Sequence, residues 1–226
     1  TKNDDKQHYS MASISDAMWR RSITISSASK TFSVTGWRIG WIIANKDIIK
    51  LLRPAASAHC GGGCHPLEVG IANTLQRAEL EYQGKKNYYV WLQAFYMEKY
   101  KLLKEAFESN GFAIIPSEST YFMLVEVTEI VNKLLKCGIL TAVDADGQEQ
   151  EKDGKEKVYN PDWQFVKWVG QQIGVLFAPC SAFDYDEPDT QRYLLRVSFC
   201  IKDDDISQVK VRLNKLREIL KKMEIQ

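Results

Sequence analysis

The apolar positions of this chain fall into short runs and periodic stripes, punctuated by glycine, proline and charge. Residues 22–28 (SITISSA) and 41–44 (WIIA) are brief β-branched apolar runs of the kind that form buried strands. Between them KTFSVTGWRIG is rich in small residues and predicts a connection with special backbone needs. Asn45 is placed to cap a short helix through Ile48, Leu51 and Leu52, ended by Pro54. The stretch HCGGGCHP (59–66) excludes regular structure, because three successive glycines lose too much backbone entropy on ordering. Pro66 suits the first turn of the next helix, expected to run to about Tyr82. Beyond Gly84, residues 85–109 predict a long helix with Tyr88, Leu92, Phe95, Leu102 and Ala106 on one face, stopped by Gly111.

The second half alternates more regularly. FAII (112–115) and YFMLVEV (121–127) predict strands, and residues 128–137 a short helix. Residues 142–160 are almost wholly polar and predict a solvated loop, since such a stretch cannot bury a core. A helix is expected around 163–172, then strands at GVLFA (174–178) and YLLRVSF (193–199). The last helix puts Ile206, Val209, Leu213, Leu216 and Leu220 on one face. No internal repeat is visible, and the alternation of strands and helices predicts an α/β architecture.

Composition narrows the function classes. Thirty basic against 29 acidic residues leave a net charge of +1, without the basic surplus of a nucleic-acid binder. No apolar run approaches the roughly 20 residues of a membrane-spanning helix, so neither a membrane nor a nucleic-acid partner is expected. Five irregularly spaced cysteines argue against a disulfide framework and for a reduced compartment, cytoplasmic or mitochondrial. The chain begins with Thr rather than Met, so the start is expected to be a truncation with any targeting segment upstream.

The candidate chemistry lies in residues 26–41, SSASKTFSVTGWRIGW. A lysine, Lys30, falls just past the end of a predicted strand, with Ser27 and Ser29 before it and Arg38 eight residues on. Strand ends feeding glycine-containing turns are where ligands meet an α/β sheet. Hydroxyls, backbone amides and a guanidinium are the groups that hold a phosphate dianion. Burial and a neighbouring cation would both favour the neutral, nucleophilic amine of Lys30. Alone, S-x-x-K fits a surface lysine equally well; the glycine, Arg38 and Trp41 at their offsets favour a functional one. His59, Cys60, Cys64 and His65 have the ligand types of a zinc site, but no second pair is spaced to complete one, and no metal is expected.

The pattern S-x-x-K-x-x-x-x-x-G-x-R-x-G-W resembles the cofactor-lysine signature of class I/II aminotransferases, in its fuller form the kynurenine aminotransferase and glutamine transaminase K branch. Downstream, IPSESTYFMLVEV, DWQFVKWVGQQIGVLFAPCSAF and LLRVSFCIKDDD resemble further stretches of that family, with Ser119 where a glycine is usual. The resemblance implies the C-terminal half of the pyridoxal-phosphate-dependent fold type I. Residues 1–84 would be the later part of the large cofactor domain and 85–226 the small domain. It implies that Lys30 carries pyridoxal 5'-phosphate as a Schiff base and moves the substrate proton, that Ser27 and Arg38 bind the phosphate, and that Arg196 grips the substrate α-carboxylate. The implied reaction transfers an amino group from kynurenine, glutamine or an aromatic or sulfur-containing amino acid to a 2-oxo acid, in a homodimer. The alternatives are β-elimination from cysteine conjugates and a non-catalytic truncated remnant. Counted back without gaps, the family's ring-binding aspartate and tyrosine fall upstream of Thr1, so the chain alone is expected to be a poor catalyst. Gly63 replaces an aromatic of the family, which leaves the amino donor open.

Overall fold

The computed structural model describes residues 9–141, 160–183 and 192–224. The chain divides into two compact units, the first running to Val90 and the second beginning at Trp91. The polar stretch 142–159 lies outside the described residues.

In the first unit, α1 (Asp16–Arg21) is capped by Ser15, whose side chain accepts from the Met18 amide. Strand β1 (Ile23–Ser27) leads into a one-turn helix, α2 (Ala28–Thr31), and β2 (Gly40–Ala44) returns antiparallel to β1. The register runs from Ile23 opposite Ala44 to Ser27 opposite Gly40. A Cβ at position 40 would lie 2.9 Å from the Ser26 carbonyl oxygen, so the strand end closes only on glycine. The strands form where the apolar runs predict, but they are not buried: Ile25 is 76% exposed, and Ile23, Ile42 and Ile43 are also exposed. Two strands cover one edge of each other and neither face, so burial needs a further layer. The buried apolar side chains of this unit are Ala28, Ile71 and Ala78.

Helix α3 (Lys46–Cys60) starts where expected, with Asn45 Oδ1 accepting from the Asp47 amide at 2.7 Å. It does not stop at Pro54 but continues through it. Proline removes one helical donor, yet Ala55, Ala56 and Ala58 are the strongest helix formers. No tight packing opposes a local bend, because none of the helix is buried. The helix ends at Gly61, left-handed at φ 64°, whose amide donates to the Ser57 carbonyl. Glycines 61–63 are irregular as expected, and α4 (His65–Ala78) begins with Pro66 in its first turn and ends short of Tyr82.

Helix α5 (Tyr88–Glu108) carries a different buried stripe from the expected one: Lys99, Leu103, Ala106 and Phe107 are buried, while Phe95 and Leu102 are exposed. The stripe keeps helical spacing but is turned by one residue, because Tyr96, Tyr100 and Leu103 all pack against the same core. In the second unit β3 (Ala113–Ile115), β4 (Phe122–Glu126), β5 (Ala178–Pro179) and β6 (Leu194–Ser198) form an antiparallel sheet in the order β3-β4-β6-β5. One face packs on α6 (Thr128–Lys136), α7 (Pro161–Ile173) and α8 (Asp203–Glu224) through Met123, Val125, Leu195 and Val197. Strand alternation puts Phe122, Leu124, Glu126, Arg196 and Ser198 on the opposite, half-buried face.

GVLFA is not a strand over its length; only Ala178 joins the ladder, followed by Pro179. Gly174, left-handed at φ 67°, caps α7 and spends the next residues crossing from helix to sheet edge. Val175 and Phe177 still pack on the core while Leu176 is 77% exposed, so the alternation survives without the pairing.

Candidate active site

The end of the β1–β2 ribbon collects the hydroxyls and cations that the sequence marks. Ser27 is the last residue of β1 and the N-cap of α2, its Oγ accepting from the Ser29 amide at 3.1 Å. The same hydroxyl lies 2.8 Å from Ser29 Oγ and 3.2 Å from the Ile39 carbonyl, and the Ala28 amide donates to that carbonyl at 3.1 Å. Lys30 therefore stands in a one-turn helix beside the segment that carries Arg38. Arg38 adopts a left-handed backbone, φ 57° and ψ 33°, a conformation disfavoured for a residue with a side chain and concentrated at functional sites. Its Nη1 donates to the Thr35 carbonyl at 3.3 Å. No carboxylate of the described residues pairs with Lys30 or Arg38.

Lys30 is exposed, not buried as the neutral-amine argument expects. The short helix that holds it is anchored from below: Tyr88 donates from its hydroxyl to the Thr31 carbonyl at 2.7 Å and stacks its ring on Phe32 at 5.5 Å. Burial raises the Tyr88 hydroxyl above its ordinary pKa, with Tyr82 and Tyr89 adding to it, so the donor is kept protonated. Arg38 and Ser26 also open onto a cleft of about 900 Å³ between the ribbon and α3, lined further by Trp37, Trp41 and Arg53; Ser27 and Lys30 do not line it.

The second candidate group lies wholly in the other unit. Arg196 is central in β6, opposite Leu124 of β4 on one side and Ala178 of β5 on the other. Its guanidinium carbon sits 4.3 Å from the ring centroid of Phe122 and 4.0 Å from that of Phe183. Nε is buried and makes no hydrogen bond, and no carboxylate of the described residues pairs with the group. An unpaired charge held on a half-buried sheet is costly unless an anion completes it. Among the described residues, no carboxylate makes the structural ion pair that is the competing explanation for a charge in an apolar strand. The neighbouring pair is Arg192 with Glu126, at 2.9 Å, whose hydrogen bonds hold the Glu126 carboxyl below its usual range.

Phe183 ends a short 3-10 turn, Cys180–Phe183, which is fixed to the start of α7. Asp162, buried, accepts from the Ser181 amide at 3.1 Å, from Ser181 Oγ at 2.8 Å and from the Trp163 amide at 2.9 Å. Burial and the Asp162 charge push the adjacent Cys180 thiol up, and the nearby Arg196 charge opposes them. The sequence pattern assigns no role to Phe122, Phe183, Asp162 or Tyr88. Phe122 sits two residues from the position facing Arg196, a diagonal neighbour visible only once the register is known. Among the described residues, no three His, Cys, Asp or Glu side chains converge as a metal site requires, His59, Cys60, Cys64 and His65 included. No described helix is long and apolar enough to cross a membrane.

Known proteins similar to this chain are aminotransferases. Kynurenine–oxoglutarate transaminase 1 of Rattus norvegicus is 27% identical over 222 residues, which is 96% of this chain and 47% of that protein. Methionine aminotransferase of Escherichia coli K12 is 27% identical over 196 residues, 87% of this chain and 42% of the relative. Among solved structures, N-succinyldiaminopimelate aminotransferase from Mycobacterium tuberculosis superposes with a TM-score of 0.69 at 26% identity, covering 95% of this chain and 46% of the other. The chain thus spans about half the length of the relatives it matches, and its α/β architecture is that of the corresponding part of fold type I transferases. Residues 3–213 match the family described as Aminotransferase class I and II, and the chain belongs to that family.

Proposed function

We propose that the protein containing this chain is a pyridoxal-phosphate-dependent aminotransferase that moves an amino group from an L-amino acid to a 2-oxo acid, acting as a homodimer. The aromatic, kynurenine and glutamine donors are favoured by the branch of the family that its motifs resemble. The unit ending at Val90 is read as part of the cofactor domain and the remainder as the small domain. The observation that carries the proposal is the register of Ser27 opposite Gly40, which sets Ser27, Lys30 and Arg38 at one end of a ribbon where no carboxylate of the described residues pairs with the two cations.

The donor set fits the cofactor. A hydroxyl, the amides of a helical turn and a guanidinium suit a phosphate dianion, and a primary amine three residues from that hydroxyl suits an aldehyde. Ser27 Oγ has one donor proton, directed here to Ser29 Oγ or the Ile39 carbonyl, so donating to phosphate requires the hydroxyl to turn from them while it keeps accepting from the Ser29 amide. When bound, pyridoxal 5'-phosphate supplies an electron sink for the charge that develops at the substrate Cα. Lys30 would take the proton from the substrate Cα and hold it for return. Arg196 grips the α-carboxylate with two parallel hydrogen bonds, which fixes the direction of the Cα–H bond.

The test is an assay of the full protein with L-kynurenine and 2-oxoglutarate, following glutamate formation. Removing a positioned acid–base group costs on the order of 10²–10⁴-fold in rate, which is the loss expected for Lys30→Ala. Arg196→Gln should instead raise KM for the amino acid. Full activity in Lys30→Ala would overturn the assignment. Pyruvate release from a cysteine conjugate, without any product that depends on the 2-oxo acid, would make the enzyme an eliminating lyase instead.

A further inference from the structure

We infer that Phe122 and Phe183 are positioning residues: they hold the Arg196 guanidinium over the faces of their rings, so that it meets a carboxylate through its terminal nitrogens. The inference rests on the reading of Arg196 as the carboxylate-binding residue and adds how that residue is aimed. The two rings lie 4.3 and 4.0 Å from the guanidinium carbon and are supplied by separate elements, β4 and the Cys180–Phe183 turn. All five N–H groups of a guanidinium lie in its plane. With the rings of Phe122 and Phe183 both within cation–π distance of its central carbon, the edge of the group is what is left for ligand acceptors. Nε is sealed from solvent and unpartnered, and among the described residues no hydrogen bond engages Nη1 or Nη2. The end of the group is therefore left unengaged, and it matches a planar two-oxygen anion in the bidentate mode.

The clamp replaces what a structural carboxylate would otherwise do. An acidic partner would hold Arg196 in place but would occupy the nitrogens that the substrate needs. Aromatic rings hold a cation through their negative faces and leave its donors free. Phe183 is half exposed, so packing alone does not fix it; Asp162 does so, through the amide and hydroxyl of Ser181 two residues earlier. The flexible guanidinium is thus oriented before a ligand arrives, which lowers the ordering cost of binding.

The experiment titrates the purified protein with 3-phenylpropionate, a carboxylate with no amine to react elsewhere, and follows binding by calorimetry and the Arg196 Nε–H signal by NMR. Unliganded wild type should show that signal displaced by the ring currents of both phenyl groups. Phe183→Leu and Phe122→Leu should each lose part of the displacement and bind about three- to tenfold more weakly, the range of one partly desolvated cation–π contact. Phe183→Tyr should bind within about twofold of wild type, because it keeps the ring. Loss of binding in Arg196→Gln with wild-type affinity in both leucine variants would overturn the clamp and leave Arg196 standing. Wild-type affinity in Arg196→Gln, or no binding by wild type, would overturn the reading of Arg196 and the clamp together. Should a leucine variant fail to fold, an undisplaced Nε–H signal in wild type still decides against the clamp.

Discussion

At the scale of single residues, Lys30, Ser27, Arg38 and Arg196 stand out as candidates because each is a charged or hydroxylated side chain at a fixed offset in a recognisable string. Their supports were not legible. Tyr88 looks like an ordinary apolar position on a helix, and its hydrogen bond to the Thr31 carbonyl spans 57 residues. The turn before β4 is a second case. A glycine is usual where this chain has Ser119, and in the structure the left-handed residue is the next one, Thr120, at φ 66°. A β-branched residue is a genuine outlier there, and the left-handed conformation costs an L-residue roughly 1–2 kcal/mol. Thr120 Oγ1 offsets part of this by accepting from the Phe122 amide at 3.1 Å, which also fixes the start of the strand that carries one ring against Arg196. Asparagine tolerates the left-handed region and keeps a side-chain acceptor. Thr120→Asn should therefore raise the stability of the second unit by about 0.5–1 kcal/mol. Urea unfolding followed by circular dichroism measures it, and a lower midpoint for the variant would show that the turn is not strained.

At the scale of elements, periodicity located most helices and strands and misjudged their surroundings. Apolar content in SITISSA and WIIA identified strands correctly, but burial depends on what lies across each face, which composition does not encode. The GVLFA strand failed because a glycine helix cap consumed its first residues, and α3 outran Pro54 because an exposed helix tolerates one lost hydrogen bond. The contrast between ribbon and sheet has a dynamic consequence. The β1–β2 ribbon has no buried side chain, whereas β4 and β6 carry Met123, Val125, Leu195 and Val197 inside the core. Local opening is easiest where few apolar contacts hold a segment. In the purified chain, amide exchange of residues 23–44 should run at least about a hundredfold faster than that of residues 122–126 and 194–198. Mass spectrometry of deuterium uptake measures both. Equal protection would show that something holds the ribbon beyond the contacts described.

At the scale of the molecule, the chain supplies two groups of candidate residues, one in each compact unit: the cations near Lys30, proposed to bind the cofactor, and the guanidinium of Arg196, proposed to bind a carboxylate. The chain belongs to the class I and II aminotransferase family and spans about half the length of the relatives it matches. Exposure of Lys30, unexpected from the sequence, belongs to the same scale, since the burial of a side chain is set by everything packed around it. The central claim is that the amine of Lys30 is the one that takes the aldehyde. It is tested most directly by adding pyridoxal 5'-phosphate to the full protein, reducing with borohydride and mapping the labelled peptide by mass spectrometry. The account predicts a single stoichiometric label on Lys30, weakened when Arg38 is changed to glutamine; a label on another lysine, or none, would contradict it.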